Sequence, residues 1–456
     1  VILSPFDAQF GNFTGGAINA VTKSGTNDVQ GSAWLFFRNQ DLTGRAPLSQ
    51  TKPGQPDQYF RPKAANFANN TYGFRVGGPL IENKLFYFFL AELQRDERPQ
   101  PFNFADYKGT TNQAGIDALS QYVSKTYGYE TGGYIDNPEK VNADRINAKV
   151  DWNVNDNNRL SVSYRYNKGL RYNTSASNST TINYYNNGYI FPNTTQSVSA
   201  ELKSTLKGNT NNRLLVTYTD ELDDRGALGQ LFPRVSIFDG SGTIVFGTEN
   251  FSAANLLKAK NLTIFDAVKY YKGKQVITIG TDNEFNDVLN TFVRDNFGTY
   301  QYNSLADFYS NAKPRSYTRT FSLIDNGVGD NTIAAAKFKT LRAGFFFTDE
   351  IKVNEDFTLV LGLRADRTEL LTKPREDKFF NDTALGKISA IYDMQGARSG
   401  QTMDPRWMIS PRIGFTYKIP DVNTVVRGGM GIFAGRIPLV WPGGVYNNNG
   451  VSLLSL

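Results

Sequence analysis

Asp282 and Glu284 are the residues in this sequence most like an acid/base couple: two carboxylates two positions apart, on one face if the segment is extended. Paired carboxylates hydrolyse a glycosidic bond when one is held protonated and both flank the substrate. Nothing around this pair points to a raised pKa, and same-face acids are commonplace on a wet strand, so a structural role is expected. The run Asp151-x-Asn153-x-Asn155 begins like a calcium-binding loop, but its sixth position is Asp156 instead of Gly and its twelfth is Val162 instead of Glu. A hairpin turn accounts for it better. Gly429-Met430-Gly431-Ile432-Phe433-Ala434 has the spacing of a dinucleotide-binding loop, which must open a helix. Arg436-Ile437-Pro438 comes next instead, so the glycines read as close packing within a strand. The sequence holds no His and no Cys, which removes Ser-His-Asp and Cys-His nucleophiles and the usual zinc ligands. No catalytic residue, cofactor or metal site is predicted, and the chain is read as a non-enzyme.

Two other groups of residues could recognise rather than react. Arg75, Arg342, Arg364, Arg412 and Arg427 each fall on the polar side of an alternating segment. They suit a solvated wall with cross-strand partners, or ion pairs to acidic groups on an enclosed domain. Tyr184, Tyr185 and Tyr189, with Trp441 and Tyr446, lie in Tyr/Asn/Gly-rich stretches, a composition found at recognition surfaces. These are the candidate ligand-contacting loops; loops packed on one another would have the same composition.

The elements that must carry these residues are strands. Of 456 residues, 20% are charged and 13% aromatic, with 41 Gly, a mixture that favours a turn-rich all-β protein over disorder. The net charge of +6 is spread singly, with no run of five Lys/Arg, so no nucleic-acid partner is predicted. No segment approaches the ~18 apolar residues of a membrane-spanning helix; the densest, Leu85–Ala91, is too short. A period of two dominates instead. In residues 145–154, Ile146, Ala148, Val150, Trp152 and Val154 alternate with Arg145, Asn147, Lys149, Asp151 and Asn153. The pattern predicts thirteen strands: 28–39, 70–81, 85–97, 145–154, 159–167, 195–207, 213–221, 262–272, 275–287, 339–353, 357–369, 409–419 and 424–435. Short turns such as Asn155–Asn158 and Asn354–Asp356 alternate with long connections. All short turns at one end, all long loops at the other and strands of ~9–11 residues describe a transmembrane β-barrel. The apolar sets, Leu341, Ala343, Phe345 and Phe347 for example, should meet lipid while the arginine face lines a wide lumen. An odd strand count leaves an unpaired edge, which lipid does not tolerate. With Val1 in place of Met, the expectation is a fragment whose barrel continues past Leu456.

The stretch Gly11–Asn27, GNFTGGAINAVTKSGTN, reads as one short strand between Gly-rich turns, enclosed by the strands after it. With its continuation to Arg45 it resembles the plug-to-barrel junction of TonB-dependent outer-membrane transporters. Within that family it is similar to the Oar-like (OmpA-related) group, common in Bacteroidetes. Residues 72–92 (YGFRVGGPLIENKLFYFFLAE), 410–419 (SPRIGFTYKI) and 425–438 (VVRGGMGIFAGRIP) carry the same resemblance. It implies a ~22-stranded barrel filled by an N-terminal plug, in the outer membrane of a Gram-negative bacterium. Opening would be driven by the TonB-ExbB-ExbD motor through a segment ahead of residue 1. On this reading residues 1–27 end the plug, with Gly15, Gly16, Asn19, Lys23 and Gly25 at the junction. Residues 28–456 then begin the barrel. The expected function is energy-coupled, gated uptake of a peptide or protein, a glycan or a chelate. The alternative is a surface-docking or secretion-associated barrel served by a surface lipoprotein or secretion subunits. A soluble β-sandwich adhesin would instead need closed units of seven to nine strands.

Overall fold

The computed structural model describes the chain except residues 1, 4–5, 13–15, 18–20, 47–49, 53–54 and 325–330. Thirteen long strands form the path of one antiparallel sheet in which each pairs with its neighbour in sequence, and a two-residue fourteenth strand, Gly226–Ala227, pairs with the start of the sixth. They are β1 (Gln30–Asn39), β2 (Ala68–Ile81), β3 (Leu85–Arg98), β4 (Glu139–Asn155) and β5 (Asn158–Asn173). Then come β6 (Tyr189–Leu206), β7 (Thr210–Asp224), β8 (Leu256–Lys272) and β9 (Gln275–Thr291). The last four are β10 (Ala336–Lys352), β11 (Phe357–Leu370), β12 (Trp407–Ile419) and β13 (Thr424–Gly431). Among the described residues the sheet has two ends, β1 and β13, that do not pair with each other.

The wall strands coincide with those predicted, but several run well past the expected ~9–11 residues; β6 has 18. The added lengths lie on the long-loop side. There, as in Glu139–Asp144 of β4, polar residues point both ways. The alternation that marks a lipid-facing strand fades while the hydrogen-bonded ladder continues. Tight turns at the opposite end use left-handed residues, Asn83 (φ 62°) and Gly273 (φ 59°) among them, which suits the twist of a short hairpin.

The two faces of the sheet differ. Val150, Val162, Phe345, Phe347, Leu361, Leu363 and Ile413 are exposed on the outer face. They meet across strands, Val150 opposite Val162 and Leu361 opposite Ile413, so they form a continuous apolar band. The inner face buries Asp151, Asp282, Glu284, Arg342, Arg364 and Arg412. A soluble sandwich would be built the other way round.

Four long connections, which the sequence presents as loops, also fold together. Residues 181–183, 242–246, 234–239, 299–302 and 316–318 make a five-stranded sheet in that order. Helix α1 (Gln113–Tyr127) packs on it. The helix begins because the Asn112 side chain accepts from the Gly115 amide, and it ends at Gly128, whose φ of 65° a side chain would resist. Ile116, Leu119 and Val123 line its buried stripe and join Ile182, Ile237, Ile244, Phe246 and Phe308 in one apolar core. This cap has its own interior.

Candidate functional site

On the inner face of β9–β11, strand register brings five charged residues into one layer. Glu284 lies opposite Arg342, and on β10 and β11 Gly344 lies opposite Asp366 and Phe346 opposite Arg364. Arg364, fully buried, donates from Nε to Asp366 Oδ2 (2.8 Å) and from Nη2 to Asp366 Oδ1 (2.8 Å) and Asp282 Oδ2 (2.9 Å). Arg342 donates from Nη2 to Asp282 Oδ1 (3.0 Å) and from Nη1 to Asp366 Oδ1 (3.3 Å), with Nε 3.7 Å from Glu284. Arg436, beyond β13, pairs with the other Glu284 oxygen. Three arginines thus meet three carboxylates, and the pairing makes tolerable the burial of five of them, Arg436 being exposed.

One side of Arg364 is turned elsewhere. Its Nη1 donates to the carbonyls of Ala8 (3.3 Å) and Gln9 (3.5 Å). Arg412 on β12 donates to the carbonyls of Asp7 (3.2 Å) and Phe10 (2.7 Å). The Thr348 hydroxyl accepts from the Ala8 amide (3.0 Å) and donates to the Asp7 carboxylate (3.1 Å). Residues 6–12 are therefore clasped against the wall, chiefly through their backbone and also through the Asp7 carboxylate. Phe6 is seated because β12 and β13 bear glycines opposite each other, Gly414 and Gly429. A Cβ at either position would come within 2.7 Å of the Phe6 side chain.

A second contact lies across the lumen. Lys149 on β4 donates to Ser24 Oγ (2.8 Å), and a Cβ at Gly25 would fall 2.3 Å from the Tyr87 carbonyl of β3. Asn27 exchanges two hydrogen bonds with Asn83 in the β2–β3 turn (2.6 and 2.8 Å). These fix where the chain crosses from the interior to β1. Gly16–Ala17 pairs with Ile2–Leu3, apart from the wall sheet. Lys23 is exposed; Gly15 and Asn19 lie outside the described residues.

The expected site residues divide accordingly. Arg342, Arg364 and Arg412 come together. Of the two arrangements expected, partners across strands or acids on an enclosed domain, Arg342 and Arg364 have the first: their acids are on the wall itself, as Asp282, Glu284 and Asp366. The enclosed segment supplies carbonyl oxygens, which occupy the donors that the wall carboxylates leave over. Arg75 donates to Ser32 on the adjacent strand (2.8 Å), and Arg427 is exposed opposite Thr416. Neither belongs to the cluster.

Tyr184 and Tyr446 are both buried. Tyr184 is 1% exposed in the cap core, its hydroxyl on the Ile116 carbonyl (2.6 Å). Tyr446 stacks on Phe338 and donates to the Thr372 carbonyl. In both, the ring fills a core and the hydroxyl finds a backbone acceptor, as a buried tyrosine requires. Tyr185 and Tyr189 are half-buried, and Trp441 is 71% exposed. Sequence reasoning missed the clasped segment itself, Phe6–Asn12; among the described residues nothing but its contact partners distinguishes it.

In the cap, Asp239 is held by Tyr107, by the Thr110 hydroxyl and by the Thr111 hydroxyl and amide. Burial pushes its carboxyl up, but these donors outweigh that and hold it below the usual range. Burial drives the Tyr129 hydroxyl up to about 12.

Against known families, the sequence matches the outer membrane beta barrel domain over residues 21–115 and 100–454. The chain belongs to this family. It therefore resides in the outer membrane, where the apolar band meets lipid and the long loops face outward. It is 32% identical over 89 residues to the TonB-dependent transporter Oar of Myxococcus xanthus, a stretch that is 19% of this chain and 8% of that protein. In structure it is similar to the outer membrane transporter YddB from Escherichia coli, with a TM-score of 0.60 and 14% identity over 99% of this chain and 49% of that one. It is also similar to a variant of the ferric enterobactin receptor PfeA from Pseudomonas aeruginosa solved with enterobactin, with a TM-score of 0.52 and 15% identity, covering 98% and 50%. At these identities the likeness is one of fold. The chain spans about half the length of these solved structures. The proteins it resembles are transporters and receptors, not enzymes.

Proposed function

We propose that this chain is part of a TonB-dependent transporter of the Oar-like group, with residues 1–27 ending the plug and 28–456 opening the barrel. The Bacteroidetes origin belongs to the same reading. The transported ligand would be a peptide or protein, a glycan or a chelate, moved when the TonB-ExbB-ExbD motor pulls on the plug. The observation that carries this is the clasp on residues 6–12. An enclosed segment held by guanidinium–carbonyl bonds can exchange those bonds for water, whereas a segment sealed by an apolar core would have to expose it.

Charge reversal of Arg364 and Arg412 to Glu tests the reading in cells. It should raise sensitivity to antibiotics too large for porins, such as vancomycin. Unchanged sensitivity with the protein present at wild-type levels would count against a plug held this way. The cap favours a second reading, a barrel that docks a surface lipoprotein or secretion subunits at its outer mouth, because four loops are committed to one rigid fold. Uptake that survives loss of the motor would favour docking.

A further inference from the structure

Beside the clasp, the inner wall of β10–β12 and the returning segment after β13 enclose a cavity of about 360 Å³. We infer that it is a binding site for an uncharged, largely apolar small molecule. The inference deepens the transport reading and rests on it only for the steps after binding.

The walls are apolar: Leu370, Met403, Met408, Leu439, Trp441 and Val445 line the space. Met408 is 52% exposed and Trp441 71%. Met408 shares the parity of Arg412 and Gly414, the inner face of β12, so lipid does not cover it. Uncovered apolar side chains gathered around a concavity are a usual sign of a ligand. The volume falls in the range of small-molecule sites, roughly 300–1,000 Å³. Tyr446 helps hold it open, since its ring stacked on Phe338 fixes residues 440–447 against β10.

The floor sets the chemical class. It carries Glu284, Arg342, Asp366 and Arg436. These are paired among themselves, Arg342 with both acids and Arg436 with Glu284, and they sum to zero charge. An ionic ligand would have to break one of these pairs or be desolvated without a partner, and both are costly. An uncharged ligand needs only hydrogen bonds from the polar end, where Asn12 of the clasped segment also lines the cavity. The polar end of the ligand would thus touch the segment that the latch holds.

The chain has four methionines, and two of them, Met403 and Met408, line the cavity. Met430 lies on the outer face, 73% exposed, and reports partition into lipid. The protein, labelled with ¹³C-methyl methionine in lipid nanodiscs and assigned by single Met→Leu replacements, is titrated with three matched probes: biphenyl-4-carboxamide, biphenyl-4-carboxylate and 4-(aminomethyl)biphenyl. The carboxamide should shift Met403 and Met408 saturably, with Met394 and Met430 unmoved and at least tenfold tighter binding than either charged analogue. Unmoved Met403 and Met408, shifts that only track Met430, or a charged analogue binding as well as the amide would overturn the inference. Absence of binding in a barrel with motor-dependent uptake would sink this site alone. Binding in a barrel that needs no motor would sink the transport reading alone.

Discussion

The latch and the cap solve the same problem, holding a segment that does not belong to the sheet, with opposite chemistry. The cap gathers Ile116, Leu119, Ile182, Ile237, Ile244 and Phe246 into an interior from which water is excluded. At the latch the most buried large side chain is Arg364, and the enclosed segment meets it through backbone carbonyls. Hydrophobic burial is lost in proportion to the area exposed. A hydrogen bond exchanged with water costs only ~0.5–1.5 kcal/mol net. The cap is built to persist and the latch to come apart.

The sharpest way to break this contrast is at the centre of each. Arg364→Ala leaves Asp282 and Asp366 to share Arg342 alone in a buried site, and removing one partner of a buried pair typically costs about 3–5 kcal/mol. Thermal unfolding followed by heat-modifiable gel migration should show the barrel destabilised. Phe246→Ala should cost a similar amount, about 3–5 kcal/mol, yet confined to the cap: protease cuts appear in residues 99–138 while the barrel midpoint holds. A barrel midpoint that fell equally in both would erase the distinction.

Gly414→Val fills the seat of Phe6 without touching a charge, since a Cβ there meets the Phe6 side chain first. Overpacking of this kind costs about 1–3 kcal/mol, and here it should fall on the docking of residues 6–12, read as faster amide exchange at Ala8. Exchange as slow as in the unmodified protein would mean that Phe6 does not anchor the segment.

Asp239 gives the cap a pH dependence. Its folded-state pKa lies below its unfolded value, so its contribution is fully present above the ordinary carboxylate value of about 3.9 and is lost as pH falls through the folded pKa. Proteolysis of the cap should accelerate in acid, and Asp239→Asn should flatten that profile while weakening the cap at neutral pH. The smallest effect belongs to Arg427, exposed and outside the cluster. Arg427→Ala should change stability by no more than about 0.5 kcal/mol, measured in the same melting assay.

Much of the wall was legible because alternation in a lipid-facing strand is a direct record of its two environments. Arg342, Arg364 and Arg412 could be put on the inner face by parity alone. Their partners could not, because Asp282, Glu284 and Asp366 lie on strands up to 84 positions apart and only register brings them together. Four of the bonds that clasp residues 6–12 end on carbonyl oxygens, which every residue has, so for these side-chain identity carried no signal. Helix α1 did leave one: Asn112, then Ile116, Leu119 and Val123, then Gly128 is a capped amphipathic helix inside what reads as a loop. Tyr184 misled because a tyrosine at a recognition surface and one in a core look alike until the rest of the core is known.

The central claim is that the latch opens under conditions that leave the cap intact. With no native cysteine, single thiols can be placed at Ala8 (0% exposed) and, in the cap sheet, at Val245 (3% exposed), as Ala8→Cys and Val245→Cys. Cysteine behaves as a small apolar side chain at such sites. Maleimide labelling of each against rising urea should find the thiol at position 8 reactive at concentrations where the one at 245 is still protected. Simultaneous labelling, or a thiol at 8 that outlasts the one in the cap, would contradict the account.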